Sequence, residues 1–161
     1  MTPRIQKAID IFLDAINERT LTKGNCAACA VGNLVATGMN IKLRPYTLCE
    51  NSNSDWGNLF YTDETGCQVY RKDLLSPTAL KKAMDNIEAT DFTETELMRI
   101  EHAFETNTKI RHESYYRYQK EQIRQDQIKG LAAVVEVMLE MDNCTENTKE
   151  VFTKKAELIP I

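Results

Sequence analysis

The stretch Gly24-Asn25-Cys26-Ala27-Ala28-Cys29-Ala30-Val31-Gly32-Asn33-Leu34-Val35-Ala36 combines a C-x-x-C pair, a run of small residues and a glycine inside an apolar segment. Asn25 reads as a helix N-cap with Gly24 supplying the turn before it, so a helix is expected from about Cys26 to Thr37, stopped by Gly38. That would put Cys26 at the first helical position and Cys29 one turn on, where unpaired amide protons favour a thiolate. A helix this rich in alanine and glycine is one that neighbours approach closely, and it is expected to be the buried centre of the fold. Gly32 costs about 1 kcal/mol against alanine in a helix interior, which implies a packing reason for it.

Outward from this stretch the rhythm is helical on both sides. Thr2-Pro3 opens a first helix with Ile5, Ala8, Ile9, Phe12, Leu13 and Ile16 on one face, ending near Glu18-Arg19. Ser76-Pro77 opens another, with Leu80, Ala83, Met84 and Ile87 inward. Thr93-Glu94-Thr95-Glu96 is a capping box for the next, whose inward face is Leu97, Ile100, Ala103 and Phe104. Tyr115, Tyr116 and Tyr118 lead in a polar, helical approach to a helix that Asp126 can cap, with Ile128, Leu131, Ala132, Val135, Met138 and Leu139 inward and a stop at Asp142-Asn143. A last helix is expected from about Glu146 to Glu157, burying Val151, Phe152 and Ala156. Between residues 40 and 75 the rhythm disappears. Asn58–Thr62 and Cys67–Arg71 read as a small hairpin around Asp63-Glu64-Thr65-Gly66, anchored by Trp56 and Phe60. The expected fold is mainly α: a compact single-domain assembly of about six helices over residues 1–161, with one irregular or small β-hairpin insertion.

A chain of 161 residues can bury a core without staples, and 42% hydrophobic with 27% charged residues is ordinary for a globular protein. The formal net charge of −4 argues against a general binder of nucleic acid or anionic membrane. The first residues enter an amphipathic pattern directly and no apolar run reaches the roughly 20 residues of a bilayer span, so a soluble, cytoplasmic protein is expected. Five cysteines, an odd number without a secretory signal, favour reduced thiols over a disulfide framework.

The order of motifs carries a resemblance. The run Cys26-x-x-Cys29-Ala30-Val31-Gly32-Asn33, then Glu96-Leu97-x-x-Ile100-Glu101-x-Ala103-Phe104, then Gly130-Leu131-x-Ala133-Val134 with Leu139-x-x-Asp142, resembles a group of small bacterial CxxCAVGN proteins. Proteins of this group are often described as a component of a Na(+)-translocating NADH-quinone reductase. The residues do not carry what that description implies. The chain has no membrane span, no C-x4-C-x2-C cluster spacing and no G-x-G-x-x-G fingerprint, so no flavin, NAD or iron–sulfur cluster is expected.

The cysteines admit three readings. Cys26 and Cys29 with Cys49 and Cys67 could complete a four-thiolate zinc site, although the second pair lacks the tight knuckle of zinc ribbons. Cys26 and Cys29 could instead act as a redox dithiol at a helix start, although no strand precedes them as in a thioredoxin-like fold. Buried structural thiols are the plainest reading. His102, about 140° around its helix from Leu97, reads as solvated, and His112 lies in a charged connector without an orienting partner. Glu101 and Glu105 share a helix face and read as solvated surface, as does the Asn51-x-Asn53-x-Asp55 segment. That segment starts like a calcium loop but has Trp56 where glycine is needed and Thr62 where glutamate is needed. Tyr115, Tyr116, Arg117, Tyr118 and Arg124 are candidates for a protein-contact surface, or a single-stranded nucleic-acid patch diluted by Glu113, Glu121 and Asp126.

The residues thus favour a non-enzymatic interaction or accessory protein with a protein partner. The alternative is a thiol-based redox or electron-transfer protein acting through Cys26 and Cys29, which requires at least one of those thiols to be exposed and acidic.

Overall fold

In a computed structural model, which describes residues 1–45, 52–65 and 68–160, Pro3 occupies the first turn of helix α1 (Pro3–Glu18) as expected. The Thr2 hydroxyl does not cap it: Thr2 donates to Asp142 instead. Arg19, with φ of 59°, closes the helix in the left-handed region. Helix α2 (Ala30–Gly38) is short and buried from Ala30 to Ala36. A 3₁₀ segment (Ser52–Leu59) leads into strands β1 (Phe60–Thr62) and β2 (Gln68–Tyr70), an antiparallel pair in the register Phe60–Tyr70, Tyr61–Val69 and Thr62–Gln68. Helices α3 (Pro77–Glu88), α4 (Glu94–Asn107), α5 (Lys120–Met141) and α6 (Thr148–Glu157) follow. The chain is therefore mainly helical, with one small hairpin among the described residues.

The local signals at α3 and α4 are realised atom by atom. Ser76 accepts from the Ala79 amide. Thr93 and Glu96 exchange side-chain to backbone hydrogen bonds in a full capping box. One cluster of buried apolar side chains joins all six α-helices, with Phe12, Leu97, Phe104, Leu131, Met138 and Phe152 fully enclosed. Helix α2 lies against α1, α3, α4 and the 3₁₀ segment, so the expected central helix is central. Trp56 is buried and its ring faces Phe60, which anchors the hairpin as expected.

Several boundaries differ from expectation for identifiable reasons. Helix α2 starts at Ala30 rather than Cys26, because Asn25 caps a separate turn and Cys29 is the N-cap. Its left-handed exit is Asn40, with φ of 58°, while Gly38 remains helical beneath the Ala89 carbonyl, where a Cβ would stand 2.0 Å away. Helix α5 starts at Lys120, behind a Gln119–Gln122 capping box. Asp126 is inside that helix and accepts from the Lys109 and Ile110 amides. The three tyrosines fall in and just after a 3₁₀ turn (His112–Arg117), not an α-helix. Helix α6 starts at Thr148, and Val151 faces solvent at 50% exposure.

Arg4 ties the start of α1 to the start of α4 and the end of α5. Its guanidinium meets Glu96 at 2.7 and 2.9 Å and Asp142 at 2.5–3.2 Å, and lies 4.7 Å from the centre of the Phe92 ring. Bonding to Arg4 holds both carboxyls below the ordinary carboxylate range. Their contribution is present above the unfolded values near 4 and is lost as pH falls through the depressed folded values. Arg4→Ala is expected to cost about 1–2 kcal/mol at neutral pH and less under acid, read by urea denaturation at pH 7 and pH 3.

Candidate functional site

The C-x-x-C run forms one tight turn immediately before α2. Asn25 builds it twice over: its Oδ1 accepts from the Ala27 amide at 3.0 Å, and its carbonyl accepts from Ala28 and Cys29 at 3.0 and 2.8 Å. The Thr22 amide donates to the Ala28 carbonyl at 2.7 Å and ties the incoming chain to the turn. Asn33, one turn into α2, places its amide nitrogen 3.0–3.1 Å from the carbonyls of Thr20, Ala28 and Cys29, and its Oδ1 accepts from the Thr20 hydroxyl at 2.8 Å. Buried backbone oxygens of an irregular segment need such partners, and the two amide protons of Asn33 are shared among these three.

The 3₁₀ segment closes the turn from the other side. Asn53 donates to the carbonyls of Ala27 at 2.5 Å and Gly32 at 3.1 Å, and Trp56 Nε1 donates to the Cys26 carbonyl at 3.2 Å. Asn53 is fully buried, so its solvated reading is corrected: its amide nitrogen is spent on the turn, and its Oδ1 is enclosed without a hydrogen-bond partner among the described residues. Gly32 explains itself here. A Cβ on it would stand 2.4 Å from the Cys26 carbonyl oxygen and 2.5 Å from the Ala27 carbonyl carbon.

The two cysteines end in different surroundings. Cys26 is exposed, with its sulfur beside Gly57. Cys29 is fully buried, and its sulfur accepts from the Gly32 amide at 3.4 Å. Burial, then the neighbouring Glu101 carboxyl, pushes the Cys29 thiol well above its ordinary range, against the lowering effect of the Gly32 amide. The expectation that Cys29 would be favoured as a thiolate by the helix start is thus overturned at that residue: desolvation exceeds the helix-start effect.

Glu101 is the residue that sequence reasoning misplaced. It is 7% exposed, lies against Cys29, and its Oε2 is buried without a hydrogen-bond partner. Burial, then the charge of Glu105, pushes its carboxyl up to about 8. Glu105 itself reaches the rim, where it accepts from the Gly24 amide at 3.2 Å and pairs with Lys23 at 3.5 Å. Lys23 crosses the end of α4, donating to the carbonyls of Glu105 and Thr108, a favourable place for a cation. The signal for Glu101 was present in its spacing: it follows Leu97 by four and precedes Phe104 by three, both of which are buried.

The other candidates scatter. His102 is exposed, as expected. His112 does have an orienting partner, its Nδ1 lying 3.2 Å from the Lys23 carbonyl. Tyr115 turns inward to the Leu21 carbonyl and Gln127, and Arg124 turns to the Ile159 carbonyl and Glu121. Tyr116, Arg117 and Tyr118 remain exposed, with the Arg117 guanidinium 5.3 Å from the centre of the Tyr116 ring. Cys49 and Cys67 lie outside the described residues. Among those described, no group of three or more His, Cys, Asp or Glu residues is placed to hold a metal ion, and no helix is long and apolar enough to cross a membrane. Compared with protein-family models, curated proteins and solved structures, the chain matches none.

Proposed function

We propose that this protein is a thiol–disulfide exchange protein that reduces a partner's disulfide through Cys26 and Cys29. The carrying observation is the asymmetry of the pair: Cys26 exposed, Cys29 buried one turn away beside a carboxyl with an unpartnered oxygen. An attacking thiol has to be reachable, while a resolving thiol has to be near the first and shielded from competitors.

In the exchange, the Cys26 thiolate attacks one sulfur of the partner's disulfide. The partner's S–S bond breaks, a mixed disulfide forms at Cys26, and the partner's other sulfur leaves as a thiolate that takes a proton from water. In the fraction of molecules whose Glu101 carboxyl has released its proton, Cys29 then gives its own to that carboxylate and attacks the Cys26 sulfur. The partner's remaining sulfur leaves as a thiolate, and Cys26 and Cys29 are joined. Two electrons pass from the dithiol to the partner's disulfide. A carboxyl held near neutrality exchanges protons readily in both directions at physiological pH. The Cys29 sulfur lies 3.7 Å from the Cys26 carbonyl oxygen, so the two residues share one turn.

The test is reaction with 5,5′-dithiobis-(2-nitrobenzoate). With Cys49, Cys67 and Cys144 replaced by serine, so that only Cys26 and Cys29 can react, the chain is expected to release a second thionitrobenzoate as Cys29 resolves the adduct on Cys26, and to end lighter by two hydrogens. Cys29→Ala should keep the first release and lose the second. Equal release from the two proteins overturns the proposal.

A second reading is favoured by a different observation, the exposed Tyr116–Arg117–Tyr118 triplet at the surface. Tyrosine and arginine are favoured at protein contacts, and an interaction or accessory protein would use this face. On that reading Cys26→Ser leaves partner binding unchanged, whereas Tyr116→Ala weakens it.

A further inference from the structure

We infer that Gly57 is a positioning residue of the thiol site, its missing side chain being what leaves the Cys26 sulfur open to a partner's disulfide. The inference rests on the dithiol reading above, but on different atoms. A Cβ built on Gly57 would stand 2.9 Å from the Cys26 sulfur and 3.3 Å from the Cys26 Cβ, closer than apolar atoms settle. The contact cannot be relieved by moving the 3₁₀ segment. Asn86 clamps that segment at two points, accepting from the Trp56 amide at 3.0 Å and donating to the Ser52 carbonyl at 2.8 Å. Trp56 and Asn53 in turn hold the carbonyls of Cys26 and Ala27.

What can yield is the cysteine side chain, because its sulfur is the far end of a single rotatable bond. It would rotate to another staggered position and change the direction in which the sulfur points. The backbone raises no objection to alanine, since among the described glycines only Gly24 has positive φ. Gly57→Ala should therefore be inexpensive for folding and costly for reactivity.

The experiment measures the rate of thionitrobenzoate release from Cys26 in a Cys29→Ala background, with Cys49, Cys67 and Cys144 replaced by serine, with and without Gly57→Ala. The expected result is a tenfold or greater slowing with an unchanged melting temperature, while Asn58→Ala reacts at the native rate. An unchanged rate in Gly57→Ala overturns the inference. If the melting temperature falls, Gly57→Ala is repeated with Cys26→Ala; the same fall there shows general loosening rather than a contact with the sulfur, and also overturns it. Failure of the dithiol reading is separately visible, as loss of the second release from the chain that keeps only Cys26 and Cys29, and leaves the first-step rate to decide Gly57.

Discussion

Gly32→Ala is expected to destabilise the protein by about 3 kcal/mol and to make Cys29 reactive without denaturant. The sign is what makes the experiment informative. Helix propensity alone favours alanine over glycine by about 1 kcal/mol, so a helix interior judged locally predicts a gain. The surrounding backbone predicts the opposite. The added Cβ would lie 2.4–2.7 Å from three backbone atoms of Cys26 and Ala27. Those atoms cannot move aside, because the turn is pinned by Asn25 from within, by Asn33 from α2 and by Asn53 and Trp56 from the 3₁₀ segment. Relief therefore requires lifting the whole turn off α2, which breaks the Asn53 bond to the Gly32 carbonyl and the Cys29 cap on the Gly32 amide. Urea denaturation reads the stability, and thiol counting under native conditions reads the exposure of Cys29. A stabilised Gly32→Ala with a protected Cys29 would mean that the turn packs on α2 less closely than described.

The same residues show what a sequence can disclose. Caps formed by neighbouring residues were legible: Ser76 with Ala79, Thr93 with Glu96 and Pro3 opening α1 are realised because each interaction spans only a few residues. The small-residue helix was legible as the centre because alanine and glycine permit close approach. Asn25 was legible as a cap, but not as the cap of a separate turn, since the same Asn-Cys-Ala-Ala pattern serves both. Asp126 and Asn53 read locally as a cap and as solvated surface. Their partners are the amides of Lys109 and Ile110 and the carbonyls of Ala27 and Gly32, distant in sequence and therefore invisible in a local pattern. Glu101 is the instructive failure. Its spacing puts it on the inward stripe, but its charge outweighed its position in the reading, because an unpaired buried carboxylate is costly enough to be discounted in advance.

Glu101→Gln is expected to make the protein more stable above neutral pH and slower in exchange. In the unfolded chain this carboxyl titrates near 4.5, and in the folded chain burial and then Glu105 raise it to about 8. Between those values the folded state keeps a proton that the unfolded state has released. Its contribution is thus fully present below about 4.5 and is lost as pH rises through about 8, with a limiting slope of about 1.4 kcal/mol per pH unit. Glutamine cannot lose that proton, so the difference between variant and native denaturation curves should grow from pH 5 to pH 8 and then level. Lys23 and Cys29 face the same carboxyl and oppose the rise, which sets where the levelling falls. In exchange the effect reverses. Without a carboxylate to receive it, the Cys29 proton has no buried acceptor, and the second thionitrobenzoate release should slow by tenfold or more while the first is unchanged. A variant gaining stability and losing only the resolving step identifies a group retained for its chemistry at a cost in folding. A variant less stable at every pH and unchanged in exchange would make Glu101 a structural hydrogen-bond partner of Cys29, and remove the carboxyl from the proposed reaction.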